Sequence, residues 1–176
     1  PGHESDQVVL APIGPWNVET TYPENPSGDW IVYFQDVLRL IGTGLDGIAL
    51  HTYGRDGSSA DIVSEARMDA PYHRRRKMFR TYRDFMVAIP AGLRHLPVYI
   101  TETDQNTAWV DQPSDWIQEA YAEIDRWNAN PINQRIRSLI LYRWENVPGD
   151  IWGIRSKQHV IEDLRAALLH DYRWYG

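Results

Sequence analysis

Four apolar runs, each leading through a polar loop to a segment of helical spacing, constrain this chain more than any other feature. The runs are VVLAPIG (8–14), DGIALHTY (46–53), VYITET (98–103) and SLILYRW (138–144). Near-continuous apolar character is what parallel strands covered on both faces require. In the first intervening segment Ser27 is a candidate cap, and Trp30, Tyr33, Val37, Leu40 and Ile41 make an apolar stripe. In the second, Met78, Tyr82, Phe85, Met86 and Ile89 recur at helical spacing until Pro90 stops the helix. Ser114 is the candidate cap of the third, with Ile117, Tyr121, Ile124 and Trp127 along one side. The fourth starts near Lys157 and turns Val160, Ile161, Leu164 and Leu168 inward. The expected order is βαβαβαβα, an α/β chain with a parallel sheet. No low-complexity linker interrupts it, so residues 1–176 read as one domain of four βα units.

Four parallel strands form either a doubly wound sheet or half of an eight-stranded (β/α)8 TIM barrel. The loops favour the half barrel. PWNVETTYPENPSGD follows the first run, TETDQNTAWVDQP belongs to the third, and RWENVPGDIWGIRS follows the fourth. They are long, aromatic and polar, and barrel enzymes keep their chemistry in the loops after the strands. A half barrel leaves two sheet edges and apolar side chains that a closed barrel would bury. That predicts either a larger barrel in a parent protein or self-association through the open edges. The chain starts at Pro1 rather than Met, so the expectation is a processed product or an excised piece.

Composition narrows the function classes. A formal net charge of −6 argues against a nucleic-acid partner. No apolar run reaches membrane-spanning length, and PGHESDQ lacks the apolar core of a signal peptide. A soluble chain is expected, and a secreted parent is compatible with it. The absence of cysteine excludes disulfides and thiolate metal sites, and the six histidines show no HExxH or HxH spacing. Neither a metal nor a cofactor is expected. GTGLDG (42–47) resembles a dinucleotide fingerprint but precedes its strand, so it reads as helix termination and turn. HRRRK (73–77), at an expected helix start, reads as a solvated face or as salt-bridge partners for acidic loops.

The third run ends in acid: PVYITETDQN places Glu102 and Asp104 where the strand should stop. A carboxylate there is costly to desolvate unless it is paired or hydrogen-bonded. One reading makes Glu102 a cap or an arginine partner at the sheet rim; the other makes it a catalytic acid. Asp104 reads as a loop-turn residue.

Taken in order, DGIALHTYG, PVYITETD and SLILYRWEN resemble the last strands of the cellulase-like clan of retaining glycoside hydrolases with (β/α)8 barrels. The resemblance spans nearly the whole chain but only the C-terminal half of such a barrel. It implies a hydrolase acting on O-glycosyl bonds and an oligo- or polysaccharide partner. Glu102 is the implied nucleophile, His51 and Tyr53 its neighbours on the sixth strand, and Trp144 the floor of the sugar site. An ordinary rim position for His51 and a packing role for Trp144 remain the alternatives. Trp16, Asn17, Gln105 and Asn106 are candidate substrate-binding residues, and Glu145 is an alternative acid, ahead of Glu19. The clan carries its acid/base on an Asn-Glu pair at the fourth strand, and no Asn-Glu pair occurs in this chain. The other function class is therefore a non-catalytic barrel-derived domain that binds carbohydrate or protein. The resemblance also implies a cis peptide after Trp144.

Overall fold

The computed structural model describes residues 5–145 and 147–172, so Pro1–Glu4, Asn146 and the last four residues lie outside the account that follows. Four strands form one parallel sheet: β1 (Val9–Leu10), β2 (Gly47–His51), β3 (Val98–Thr103) and β4 (Ile136–Leu141). Their spatial order is β1-β2-β3-β4, the order in the chain. A doubly wound sheet needs a point where the order reverses. There is none, and the architecture is a partial (β/α) barrel.

The helices follow the strands in turn: α1 (Trp30–Ile41), α2 (Ala60–Val63), α3 (Tyr82–Ala88), α4 (Trp116–Asn128) and α5 (Gln158–Leu168). Right-handed crossovers between sequential neighbours put such helices on a single face of the sheet. Burial agrees. Ile48, Leu50, Val98, Ile100, Ile136 and Leu139 are buried with Trp30, Phe34, Phe85 and Trp116 in one core. On the opposite face, Val9 and Ile140 are 42% and 50% exposed.

Local chemistry sets the helix ends. Asp29, rather than Ser27, caps α1: its Oδ1 accepts the Ile31 N–H at 2.9 Å. The buried face of α1 is Trp30, Ile31, Phe34 and Leu38, whereas Leu40 is 87% exposed because the helix turns its last residues away from the sheet. Gly42, in GTGLDG, ends α1 at φ 64°, and its N–H returns to the Leu38 carbonyl at 3.0 Å. Asp115 stands at the N-cap of α4, and Ser114 reaches only the Trp116 N–H at 3.4 Å. In α5, Val160, Asp163 and Ala167 are buried and Leu168 is exposed.

β1 pairs over two residues only, Val9 with Gly47 and Leu10 with Ile48. Pro12 and Pro15 follow it, and proline has no N–H to give a ladder. HRRRK lies in a turn and bridge rather than on a helix, and two of its three arginines are paired with acids. Arg75 meets Asp29 at 2.6 Å, and Arg76 meets Asp84 at 2.5 Å and Glu65 at 3.0 Å. Two peptides are cis among the described residues, Ala70–Pro71 and Tyr142–Arg143. The non-proline one therefore lies two residues before the Trp144–Glu145 bond where the resemblance placed it.

Candidate functional site

Three polar side chains meet where β2 and β3 end. His51 is the last residue of β2, and Glu102 is its partner across the ladder, after an irregularity at Leu50/His51 that shifts the register. Two residues on, Tyr53 points the same way as His51. The intervening Thr52 points outward, and its hydroxyl donates to the Phe79 carbonyl. The pleat thus puts both ring side chains on one side and a buried anchor on the other.

The Tyr53 hydroxyl donates to Glu102 Oε1 at 2.5 Å and lies 2.9 Å from His51 Nδ1. His51 Nδ1 is 3.9 Å from the same carboxylate oxygen. A phenol has one proton to give. With that proton on Glu102, the Tyr53 oxygen accepts from His51, so Nδ1 carries the imidazole hydrogen. Burial lowers the His51 pKa, against the opposing pull of Glu102, which keeps the ring neutral at pH 7. Burial, then the hydrogen bond and charge of Glu102, raise the Tyr53 pKa far above that of a free phenol. The result is a carboxylate held by a firmly protonated donor. Among the described residues Glu102 pairs with no arginine and caps no helix.

Asp104 is more than a turn residue. Its Oδ1 accepts the Asn106 N–H at 2.5 Å, and its carbonyl accepts the Gly54 N–H at 2.8 Å. It is 3% exposed. Burial raises its pKa to about 6, opposed by the Asn106 N–H and reinforced by the charge of Glu102. Two carboxyl groups on one strand end therefore differ in environment: Glu102 is a hydrogen-bond acceptor at the rim, and Asp104 is buried behind it.

The other candidate residues fall into two groups. The Trp16 ring stands 6.3 Å from that of Tyr53, with its Nε1–H fixed to the Arg76 carbonyl at 3.1 Å. Asn106 is exposed beside Asp104, in a left-handed backbone conformation (φ 52°). The rest make no hydrogen bond or ring contact with His51, Tyr53 or Glu102 among the described residues. Trp144 is 51% exposed, and among the described residues no hydrogen bond or ring contact joins it to His51, Tyr53 or Glu102. Asn17 folds back on the Glu19 N–H at 2.9 Å and, with Glu19, lines a separate groove of about 710 Å³ beside β1. Gln105, expected to bind hydroxyls, is 2% exposed; it accepts the Val110 N–H at 3.4 Å and packs on Gly57. Such burial fits it for loop packing instead. Glu145 is spent on an exposed ion pair with Arg155 at 2.7 Å.

Two neighbours escaped the sequence reading. Tyr142, just after β4, lies close enough to Tyr53 that the two phenols oppose each other's ionisation, and its carbonyl accepts the Trp109 indole N–H at 2.7 Å. Arg55 lies over the Trp16 ring, 3.9 Å from its centroid. Its offset of two from Tyr53 was the only local hint.

Compared with family models, with curated proteins and with solved structures, the chain matches none.

Proposed function

We propose that this chain is the nucleophile-bearing half of a retaining glycosidase barrel related to the cellulase-like clan. The observation that carries the reading is the Tyr53–Glu102 hydrogen bond at the C-terminal ends of two adjacent parallel strands, backed by His51. A retaining enzyme needs an ionised carboxylate to attack the anomeric carbon. Tyr53 keeps one oxygen of Glu102 hydrogen-bonded and so steadies the carboxylate, leaving the second to attack. The covalent glycosyl ester is then opened by water. The second carboxyl, about 5–5.5 Å from the first, protonates the leaving oxygen and later activates that water. In this proposal it comes from the other half of a larger barrel, which also covers the open face around Val9 and Ile140.

Glu102→Gln in the polypeptide that carries both halves is the test. Turnover of an activated aryl glycoside is expected to fall by at least about a thousandfold, with saccharide affinity within about twofold of the wild type. Wild-type turnover in that variant refutes the assignment.

A second reading, a barrel-derived domain that binds carbohydrate or protein without hydrolysis, draws on the absence of an Asn-Glu pair. Saccharide binding by calorimetry, with no aryl glycoside cleaved by the two halves together, would favour it.

A further inference from the structure

Arg55 differs from most guanidinium groups around the loops. Arg75, Arg76, Arg80, Arg83, Arg143 and Arg155 each meet a carboxylate at 2.5–2.8 Å. Arg55 has no such partner among the described residues. Its backbone N–H donates to Asp61 at 3.2 Å, and its Nε–H donates to the Lys77 carbonyl at 3.2 Å. Its two terminal nitrogens make no protein hydrogen bond among the described residues.

The group is nevertheless held. Nε is anchored, the guanidinium lies against the Trp16 ring, and Trp16 is itself pinned through its indole N–H to Arg76. A half-buried cation stacked on an aromatic face, with its outer donors unspent, is poised for an anion. Burial pulls the Arg55 pKa down, against the charge of Asp61. A bound anion would offset that burial.

Position says whose anion. Trp16 links Arg55 to Tyr53, whose hydroxyl meets Glu102. We infer that Arg55 is a specificity residue, pairing side-on with the carboxylate of a uronic acid in the saccharide that Glu102 addresses. The inference rests on the glycosidase reading of Glu102. A carboxylate matches the planar two-donor edge of a guanidinium. The charge of Asp61 beside Arg55, with Asp56 hydrogen-bonded to Asp61, favours a ligand with one charge per sugar ring over a dense polyanion. With Arg55 over it, Trp16 serves to hold the guanidinium rather than to offer that face to a sugar.

Nitrogen-15 NMR titration of the full chain with methyl β-D-glucuronide and with methyl β-D-glucoside tests this. The Arg55 Nε–H and Trp16 indole N–H signals are the reporters. The glucuronide is expected to bind about tenfold more tightly, as one charge-assisted pair provides. In Arg55→Gln that preference falls below about twofold, with glucoside affinity unchanged, and Arg55→Lys keeps part of it. Circular dichroism checks that both variants fold. Equal affinities for the two sugars in the wild type, or a preference surviving in Arg55→Gln, overturns the role of Arg55 and leaves Glu102 untouched. Sodium acetate binding as tightly as the glucuronide also overturns it, reducing the site to a simple anion site. Binding of neither sugar by the folded chain overturns Arg55 as a carboxylate site and leaves the glycosidase reading to the Glu102→Gln test in the polypeptide that carries both halves.

Discussion

Glu123 is the most deeply buried acid among the described residues, and its removal tests the ion-pair network that holds α4 to α3 and the turn before it. It sits on α4 with its side chain fully buried. Arg80 grips both oxygens at 2.9 Å, Arg83 reaches Oε1 at 2.5 Å, the Tyr82 hydroxyl donates at 2.9 Å, and Arg126 lies 3.5 Å from Oε2. Removing one partner of a buried pair costs about 3–5 kcal/mol, because the remaining charge is left without compensation. Three of the four neighbours keep a second acid. Arg80 retains Glu65 at 2.8 Å, Arg83 retains it at 3.6 Å, and Arg126 retains Glu119 at 3.3 Å. That places Glu123→Ala at the low end, about 3 kcal/mol. For a chain of this length each kcal/mol moves Tm by about 2–4 °C, so a loss of about 10 °C is expected. The assay is thermal and urea unfolding followed by circular dichroism, with Glu119→Ala as the control. Glu119 is half-exposed and its ion pair is worth under about 0.5 kcal/mol. An unfolding free energy for Glu123→Ala indistinguishable from that of Glu119→Ala would refute the reasoning.

The pH dependence gives the same test a second axis. Burial pushes the Glu123 carboxyl up, but the Arg80 and Tyr82 hydrogen bonds and the Arg83 charge outweigh it and hold the pKa below the ordinary range. A depressed folded value stabilises the protein above the unfolded pKa of about 4.3, and that stability is lost as pH falls through the folded value. The stability curves of wild type and Glu123→Gln therefore converge in acid and separate near neutrality.

Asp104 behaves in the opposite sense. Its folded pKa of about 6 lies above the unfolded value of about 3.9, so its contribution is fullest below about pH 4 and is lost as pH rises through 6. Asp104→Asn, which keeps the acceptor for Asn106, should stabilise the chain at pH 7.5 by on the order of 2 kcal/mol and leave it unchanged at pH 4. Urea titrations at the two pH values check this, and a pH-independent difference contradicts it. Val8, Val9 and Ile140, 42–54% exposed at the two sheet edges, predict association of this chain when expressed alone. Multi-angle light scattering should show a mass rising with concentration, and a constant monomer mass argues against an open half barrel.

The strands were legible because their signal is local: an apolar run such as Val98–Thr103 needs no partner to be recognised. Their ends were less so. Leu141 ends β4 and Pro12 lies beyond β1, because pairing stops where a neighbour strand or an N–H is missing rather than where apolar residues run out. Helix caps went wrong for the same reason. Ser27 and Asp29 are equally plausible caps in sequence, and Arg75, 46 residues away, helps to hold Asp29 in place.

The alternation of apolar runs with helical segments, and the two acids at the end of the third run, follow from the sequence alone, since chain neighbours and periodicity suffice to read them. Tertiary structure decided the unreversed strand order, the meeting of Tyr53 with Glu102 across 49 residues, and the stacking of Arg55 on Trp16 across 39. It also decided which acids are spent, Glu145 on Arg155 and Glu123 on its arginines, and which remains at the mouth. A hydrogen bond or an ion pair depends on distance and direction between groups far apart in the chain, and those are set only when the sheet register and the loop paths are in place.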